Sequence, residues 1–343
     1  MWIRHAIALV GLMVALSAAS AQEFRIEDVA AKSWDVALLK PGVIVFSDQQ
    51  TAAGGATNLI RFADWARSYP AQKKFLALFP GYSEPTVSKT ASAVAASGPF
   101  TEKLTMYVAQ ARFMLNRPSS AIDLARYVTL PFLAKIDPAI THKAIAAADV
   151  TPLTDQQGTG NENPQRKWCT GRTSLICIQS SYKLEGKIPI GIMLVNKLRD
   201  SAKKVSDHID FESELSDLPQ DNLDQTGLKE LTALDTPVSG VLEQNIFYVN
   251  QIMKFGKFLA VFQAHLSDAG KTVVTAFMAL AVKASVLDER RGYEKVPVLH
   301  NLVPAQVLMG QSSFNSGESI SAGLPRYARN EIRTIAGLLA AEK

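Results

Sequence analysis

Between about Asn58 and Val150, apolar residues recur at steps of three and four, the period of a helix with one buried face. The clearest run lies between two sets of helix breakers, Gly98-Pro99 and Asn116-Arg117-Pro118. Its apolar positions are Leu104, Tyr107, Val108, Ala111, Met114 and Leu115. This spacing predicts an amphipathic helix.

The rest of this region is divided into short segments by Pro70, Pro80, Pro131 and Pro138. Ser120 followed by Asp123 is typical of a helix start, because a hydroxyl and a carboxylate suit the unpaired amides of a first turn. We therefore expect residues 22–150 to form an alanine-rich bundle of small helices.

The pattern changes after this region. Residues 151–167 contain proline, glycine and asparagine with almost no apolar side chain, which indicates a linker loop. Apolar and polar residues alternate over Ile176–Glu185 and again over Phe211–Leu215, which predicts strands with one buried face. Between these strands, Ile190–Asp207 has a helical pattern.

Three apolar runs follow, over Ile246–Met253, Phe258–Leu266 and Thr272–Leu287. The short polar breaks between them suit antiparallel hairpins. The third run is apolar on both faces, so it fits either a central strand or a buried helix. Its β-branched start, Val273-Val274-Thr275, favours a strand.

The chain ends in a predicted long helix, Arg326–Glu342, with Pro325 at its first position. One stripe of this helix is apolar, at Ala328, Ile332, Ile335, Ala336 and Leu339. We therefore predict an α+β fold, in which an N-terminal small-helix bundle precedes a domain at 168–343 with an antiparallel sheet on the C-terminal helix. This arrangement is similar to the helix-grip architecture, a comparison of architecture that rests on no residue motif of a family.

The first 21 residues have the three parts of a secretion signal. A basic start is followed by the uncharged stretch Ala6–Leu16 and by the small residues Ala19-Ser20-Ala21. The stretch is too short to span a bilayer as a helix. We expect cleavage after Ala21 and export to the periplasm or the medium; the alternative is a buried N-terminal helix.

Composition narrows the class of protein. With 343 residues, 47% of them hydrophobic, and a formal charge of +4, the chain is neither disordered nor basic enough to predict nucleic-acid binding. It contains no glycine-rich phosphate loop, nucleotide fingerprint or His-Glu-x-x-His motif. We therefore expect neither a cofactor nor a metal.

The two cysteines, Cys169 and Cys177, lie close in sequence. In an oxidising compartment such a pair predicts a structural disulfide across a hairpin whose turn is Gly171-Arg172. The alternative is a redox-active pair, but that chemistry favours the tighter Cys-x-x-Cys spacing.

Nine acidic residues and one basic residue lie between Asp207 and Asp235. A calcium site is one interpretation, since hard cations need several carboxylates. Because the Asp-x-Asp-x-Asp-Gly spacing is missing, a solvated acidic connection is the favoured interpretation.

No catalytic set is convincing, so we predict no catalytic residue. Ser180–Lys183 matches Ser-x-x-Lys, but it lies in an alternating strand, whereas the penicillin-binding enzymes place this serine at the start of a helix. Gly310–Phe314 lacks the final glycine of the Gly-x-Ser-x-Gly turn. His265 is the candidate general base, and His208 with Asp210 is a candidate pair; a core imidazole and a surface pair are the competing interpretations.

The hairpins and the terminal helix together suggest a mostly apolar pocket. Its expected ligand-binding residues are Tyr248, Asn250, Phe262, His265, Phe277, Met278, Arg326 and Arg329. Arg326, Arg329 and Arg333 share a helix face, which either contacts anionic lipid head groups or is simply solvated.

We therefore favour an exported protein that binds an apolar or lipid-like small molecule without catalysis. A periplasmic hydrolase with a His/Ser or His/Asp site is the first alternative. The second is an envelope scaffold for protein partners, suggested by the alanine-rich short helices.

Overall fold

The computed structural model describes residues 22–28, 35–46, 86–87, 92–94, 103–151, 168–170, 175–183, 208–249, 253–283 and 320–342. Within these ranges the fold is α+β, with one large mixed sheet and three α-helices. The predicted fold class is confirmed, whereas the N-terminal helix bundle is not.

Eleven strands form the sheet. They are β1 (Arg25–Asp28), β2 (Val43–Phe46), β3 (Thr86–Val87), β4 (Ser92–Val94), β5 (Lys103–Leu115), β6 (Ile140–Ala144), β7 (Leu175–Lys183), β8 (His208–Pro219), β9 (Val238–Val249), β10 (Met253–Ala264) and β11 (Thr272–Lys283). The helices are α1 (Leu130–Ile136), α2 (Gln225–Thr232) and α3 (Ile320–Ala341). Short 3-10 turns lie at Val36–Leu38, Ser119–Ala121, Leu124–Tyr127, Ala147–Asp149 and Gln220–Asn222.

The strand order is β1-β2-β5-β11-β10-β9-β8-β7-β6, and the short β4 pairs with β5 and β3. Among the described strand pairs, β1–β2 is parallel and the others are antiparallel. The hairpins β9-β10-β11 form the centre. The break between the second and third apolar runs is the β10–β11 turn, as predicted, whereas the predicted break between Met253 and Phe258 is wrong, because these residues lie inside β10. The third run is therefore a strand.

The apolar stripe of α3 packs on one face of the sheet, which we call the helix-side face. Its side chains come from alternate positions of the central strands, since successive strand residues point to opposite faces. They include Ala111, Phe113 and Leu115 of β5, Phe258, Ala260 and Phe262 of β10, and Val274, Ala276 and Met278 of β11. The small alanines on both partners allow close approach between helix and sheet.

The opposite, outer face is also buried along the central strands. It carries Val261 and Leu259 of β10 and Thr275 and Phe277 of β11, each no more than 2% exposed. A strand covered on both sides needs apolar residues at every position, which explains why the runs are continuous rather than alternating.

The predicted helix over Leu104–Leu115 is wrong, because the chain there forms β5, between β2 and β11. Since β5 is buried on both faces over residues 110–115, Met114 and Leu115 are both apolar although they point in opposite directions. The polar residues Gln110 and Arg112 are buried as well. They alternate with Ala111 and Phe113, a period of two that ends at Met114 and Leu115, and the spacing of the apolar residues alone resembles that of a helix.

Short helical elements do occur after Pro118. The Asp123 carboxylate accepts a hydrogen bond from the Ala125 amide and begins the 3-10 turn Leu124–Tyr127. The Thr129 hydroxyl similarly accepts from the Phe132 amide and begins α1. Pro325 lies inside α3 rather than at its first position, because the helix begins at Ile320.

Several predictions lie outside the described residues. They concern the signal segment 1–21, most of the linker 151–167, the turn Gly171-Arg172, the helix Ile190–Asp207 and the Gly310–Phe314 motif.

Candidate functional site

The helix-side face is tightly filled where α3 crosses it. Phe262, Ala276 and Leu115 are each 1% exposed, and Ile332 of α3 is fully buried against this cluster. The neighbouring strands β7, β8 and β9 contribute Ile178, Leu215 and Leu242 to the same core, together with Leu124, Tyr127, Val128, Phe132 and Leu133 from the segment 124–133. Two covers, α3 and the segment 119–136, thus lie over one sheet face.

Toward the far ends of β6 to β9, apolar side chains on the helix-side face are only half-buried. Ile140, Tyr182 and Ile209 lie in one row across three strands, and Ile246 of β9 pairs with Ser213 of β8 nearer the core. All four have intermediate exposure. We call these four residues the apolar rim; each keeps part of its surface exposed.

Four polar side chains lie diagonally across the same face, next to the apolar rim. On one side, His142 Nδ1 lies 2.9 Å from Ser180 Oγ. On the other, Gln244 Nε2 donates to Ser213 Oγ at 3.1 Å. Strand register places Ser180 and Ser213 as diagonal neighbours, because Ser180 is opposite Phe211 and Ser213 is two residues further along β8. We call these four residues the polar diagonal.

The polar diagonal is unusual because it lies in an otherwise apolar layer. Ser180 is 1% exposed and Ser213 is fully buried. Burying a hydroxyl is unfavourable unless it is hydrogen-bonded, and each of these serines is paired with one longer polar side chain.

His142 lies at the outer end of the polar diagonal, on β6, against which α1 packs. Burial lowers the pKa of its imidazole below the usual value, and the Asp137 carboxylate at the end of α1 opposes this effect more weakly. The neutral imidazole is therefore favoured at neutral pH. Its Nε2 atom is buried and has no hydrogen-bond partner among the described residues.

Sequence reasoning missed the pair of His142 and Ser180. Residues 140–144 fall in a region predicted to be helical, although Ile140-Thr141-His142 already contains β-formers. Ser180 was in a correctly predicted strand, but its partner is 38 positions away. A strand prediction at 140–144 would have put an imidazole beside the polar face of β7.

A second polar group lies on the outer face. Lys257 Nζ of β10 and Glu243 Oε2 of β9 are 2.7 Å apart, with side-chain exposures of 0% and 2%. The Ser216 hydroxyl donates to Glu243 at 3.3 Å, and Asn245 Nδ2 donates to Glu214 Oε1 at 3.1 Å. We call these five residues the outer polar cluster.

The outer polar cluster corrects the prediction of a solvated acidic connection between Asp207 and Asp235. Glu212 and Glu214 are 2% and 0% exposed, because they lie on the outer face of β8. Glu212 accepts hydrogen bonds from the amide and hydroxyl of Thr151. The alternation that makes β8 a strand brings these two acids inside, whereas Asp221, Asp224, Glu230 and Asp235 after the strand are exposed, as predicted.

The disulfide between Cys169 and Cys177 is present, as predicted. It ties the turn at 168–170 to β7. The Cys169 amide of this turn donates to Glu214 Oε2 of β8 at 3.0 Å. Beside it, the Trp168 ring stacks on Phe247 with 4.6 Å between ring centroids. The disulfide thus holds a cover over one end of the outer polar cluster.

The predicted ligand-binding residues do not share one face. Phe262 and Met278 lie on the helix-side face and belong to its core. Phe277 cannot line the same surface as Met278, because adjacent strand residues point to opposite sides, and it is buried on the outer face. Asn250 and the side chains of Tyr248 and Arg326 lie outside the described part.

His265 lies just after β10, in the hairpin that leads to β11. Its Nδ1 accepts a hydrogen bond from the Ser267 amide at 3.3 Å, a local contact within the turn. His208 begins β8 and is paired in register with Lys183. Ser180 and Lys183 are separated by an odd number of strand positions, so their side chains point to opposite faces and do not form a Ser-x-x-Lys pair.

Two of the three arginines on α3 are in the described part. The Arg329 guanidinium lies over the Phe46 ring, 4.7 Å from its centroid, and Arg333 is exposed. The Arg329 side chain therefore covers an aromatic ring at the β2 side of the sheet.

In the described ranges, no helix is long and apolar enough to cross a membrane. The same ranges contain no group of three or more His, Cys, Asp or Glu side chains that could hold a metal ion.

Comparison with known proteins identifies no family. No family model and no curated protein matches the sequence. Among solved structures, Zhui aromatase/cyclase from Streptomyces sp. R1128 is similar with a TM-score of 0.26 and 10% identity, covering 65% of this chain and 94% of that chain.

Two human structures are similar at the same level. STARD10 has a TM-score of 0.27 and 9% identity, covering 79% of this chain and 80% of that chain. The StarD13 (DLC2) lipid transfer and protein localization domain has a TM-score of 0.25 and 10% identity, covering 65% and 89%. Similarity this weak establishes neither a shared fold nor a shared function.

Proposed function

We propose that this is an exported protein that binds an apolar, lipid-like small molecule on the helix-side face, without covalent chemistry. One observation carries the proposal: the apolar rim, formed by Ile140, Tyr182, Ile209 and Ile246, is only half-buried and borders the polar diagonal. Small-molecule sites have this composition, mostly apolar walls with a few polar groups that orient the ligand.

The free energy gained by burying apolar surface favours an apolar ligand. Each buried methylene of such a ligand contributes about 0.8 kcal/mol of transfer free energy. The four residues of the apolar rim supply that kind of surface, and the rim contains no charged side chain. A strongly polar solute would gain little there, because it would lose hydration without replacing most of its hydrogen bonds.

A hydrolase is the second candidate, favoured by the His142–Ser180 distance of 2.9 Å. The arrangement resembles a nucleophile beside a base. However, Ser180 is 1% exposed in the middle of a strand, so its hydroxyl does not present itself to a substrate as a serine on a sharp turn would. Labelling with a fluorophosphonate probe separates the candidates: modification of Ser180 supports the hydrolase, and no modification supports binding alone.

The scaffold hypothesis has less support. It rested on alanine-rich short helices in the N-terminal region, and the longest described element there is the strand β5.

Export is part of the proposal. It is supported by the signal-like sequence of residues 1–21 and by the Cys169–Cys177 disulfide, since disulfides persist in oxidising compartments. Expression of the full chain in a Gram-negative host, followed by fractionation and intact-mass measurement, tests this point. The expected product begins at Gln22; an uncleaved product in the cytoplasm would contradict export.

The binding proposal is tested by organic extraction of the purified mature protein and mass spectrometry of the extract. We expect an apolar compound that rebinds to the stripped protein at a stoichiometry near one. Matched extraction of the Ile209→Glu variant controls for non-specific lipid, because that variant places a charge on the apolar rim. Recovery of the same compound from both proteins, or of none from either, would contradict the proposal.

A further inference from the structure

We propose that His142 binds the polar end of the ligand by donating a hydrogen bond from Nε2 to a carbonyl or carboxylate oxygen. This inference rests on the proposed function and adds a chemical class: a molecule with an apolar body that ends in an acceptor oxygen.

The first step concerns the proton on the imidazole. His142 Nδ1 and Ser180 Oγ are 2.9 Å apart, and we assign the Ser180 hydroxyl as the donor and Nδ1 as the acceptor. A neutral imidazole that accepts at Nδ1 carries its hydrogen on Nε2. In the proposed arrangement Nε2 is therefore a hydrogen-bond donor.

The second step concerns the place of this donor. Nε2 is buried and has no partner among the described residues, which leaves a polar N–H unsatisfied in a low-dielectric layer. His142 and Ser180 are paired with each other across β6 and β7, two positions from the pair Ile140 and Tyr182 of the apolar rim, so the four side chains point to one face. A ligand whose chain contacts the rim has its end group within reach of this part of the face.

The third step concerns the charge of the donor. Because burial favours the neutral imidazole, this donor does not require a charged acceptor. Either an acid or an ester satisfies it, whereas a plain hydrocarbon does not. The same logic excludes an end group that can only donate, such as an ammonium.

The experiment compares three dansyl-labelled eleven-carbon probes that end in a carboxylic acid, in its methyl ester and in a methyl group. Fluorescence titration of the wild-type protein should give tighter binding of the acid and the ester than of the hydrocarbon, by about three- to tenfold. His142→Phe should lose this preference, and His142→Gln, which keeps an N–H donor, should retain part of it.

Matched variants separate a binding role from a folding role. Ser180→Ala removes the contact to which we assign the tautomer and should reduce the preference. Lys143→Ala should leave it unchanged, because Lys143 is exposed and points to the opposite face of β6. Circular dichroism verifies that each variant is folded. If His142→Phe does not fold, Ser180→Ala serves as the test instead.

The outcomes distinguish the two proposals. If no probe binds saturably to the wild type, the proposed function fails. If all three probes bind the wild type equally, or if folded His142→Phe keeps the preference, the binding function stands and the role of His142 is wrong.

Discussion

Lys257 and Glu243 form a buried ion pair across β10 and β9, with 2.7 Å between Nζ and Oε2. The Ser216 hydroxyl from β8 donates to the same carboxylate, so the contact extends over three strands. Such a pair holds register, because a shift of one position would leave a charge against an apolar layer. The outer face of the sheet therefore contributes specificity, while the helix-side face carries the proposed site.

Breaking this pair should be costly. Glu243→Ala leaves the Lys257 ammonium buried without this carboxylate, and we expect a loss of about 3 to 5 kcal/mol in the free energy of unfolding. Urea unfolding followed by circular dichroism measures it. Asp235→Ala is the matched control, since Asp235 pairs with Lys229 at 3.4 Å while its own side chain is 97% exposed. Equal effects of the two variants would contradict a buried, coupled pair.

The docking of α3 should depend on its apolar stripe. Ile332→Ala removes a fully buried side chain between helix and sheet, and we expect a loss of about 2 to 5 kcal/mol in stability. The neighbouring exposed Arg333→Ala should change stability by no more than about 0.5 kcal/mol. Thermal and urea unfolding compare the two, and a similar stability of both variants would show that α3 does not pack as described.

The disulfide should stabilise the fold mainly through the unfolded chain. Cys169 and Cys177 are separated by 8 positions, and closing so small a loop contributes about 2 to 3 kcal/mol in the chain-entropy model. The double substitution Cys169→Ser with Cys177→Ser should lower the unfolding free energy by that amount. A reducing agent should destabilise the wild type similarly and leave the double variant unchanged; an effect of the reductant on that variant would contradict the assignment.

Stability should fall in mild acid because of His142. Burial lowers the pKa of its imidazole in the folded protein below the unfolded value near 6.5, so the unfolded chain binds the proton more readily. The contribution of this group is therefore complete above pH 6.5 and is lost as the pH falls toward the folded pKa. Unfolding curves between pH 7.5 and 5 should show a smaller decrease for His142→Gln than for the wild type. Identical decreases would mean that His142 titrates normally.

The sequence predicts the β10–β11 hairpin because turn residues separate two apolar runs of strand length, but it misplaces the break before it, which lies inside β10. It predicts the disulfide because two cysteines lie close together. It fails at β5, since burial on both faces allows Met114 and Leu115 to be apolar side by side, which ends the short alternation of Gln110 and Arg112 with Ala111 and Phe113. At β5 the deciding factor is what covers the two faces of the sheet.

The candidate site depends even more on tertiary contacts. Phe262 and Met278 lie on the helix-side face and Phe277 on the outer face, because two adjacent residues of one strand cannot share a face. The contact between His142 and Ser180 requires the register of β6 against β7, which no local pattern encodes. The burial of Glu212 and Glu214 similarly depends on which face of β8 they occupy.

The most direct test of the central claim is a titration of the purified mature protein with the dansyl-labelled eleven-carbon acid. The wild type and Leu266→Glu, which changes a leucine that is 60% exposed in the β10–β11 turn, should bind it saturably with equal affinity. Ile209→Glu should bind at least about tenfold more weakly, because its carboxylate would lose hydration beside the apolar chain of the ligand. Absence of saturable binding to the wild type, or unchanged affinity in folded Ile209→Glu, would contradict a lipid-like ligand on the helix-side face.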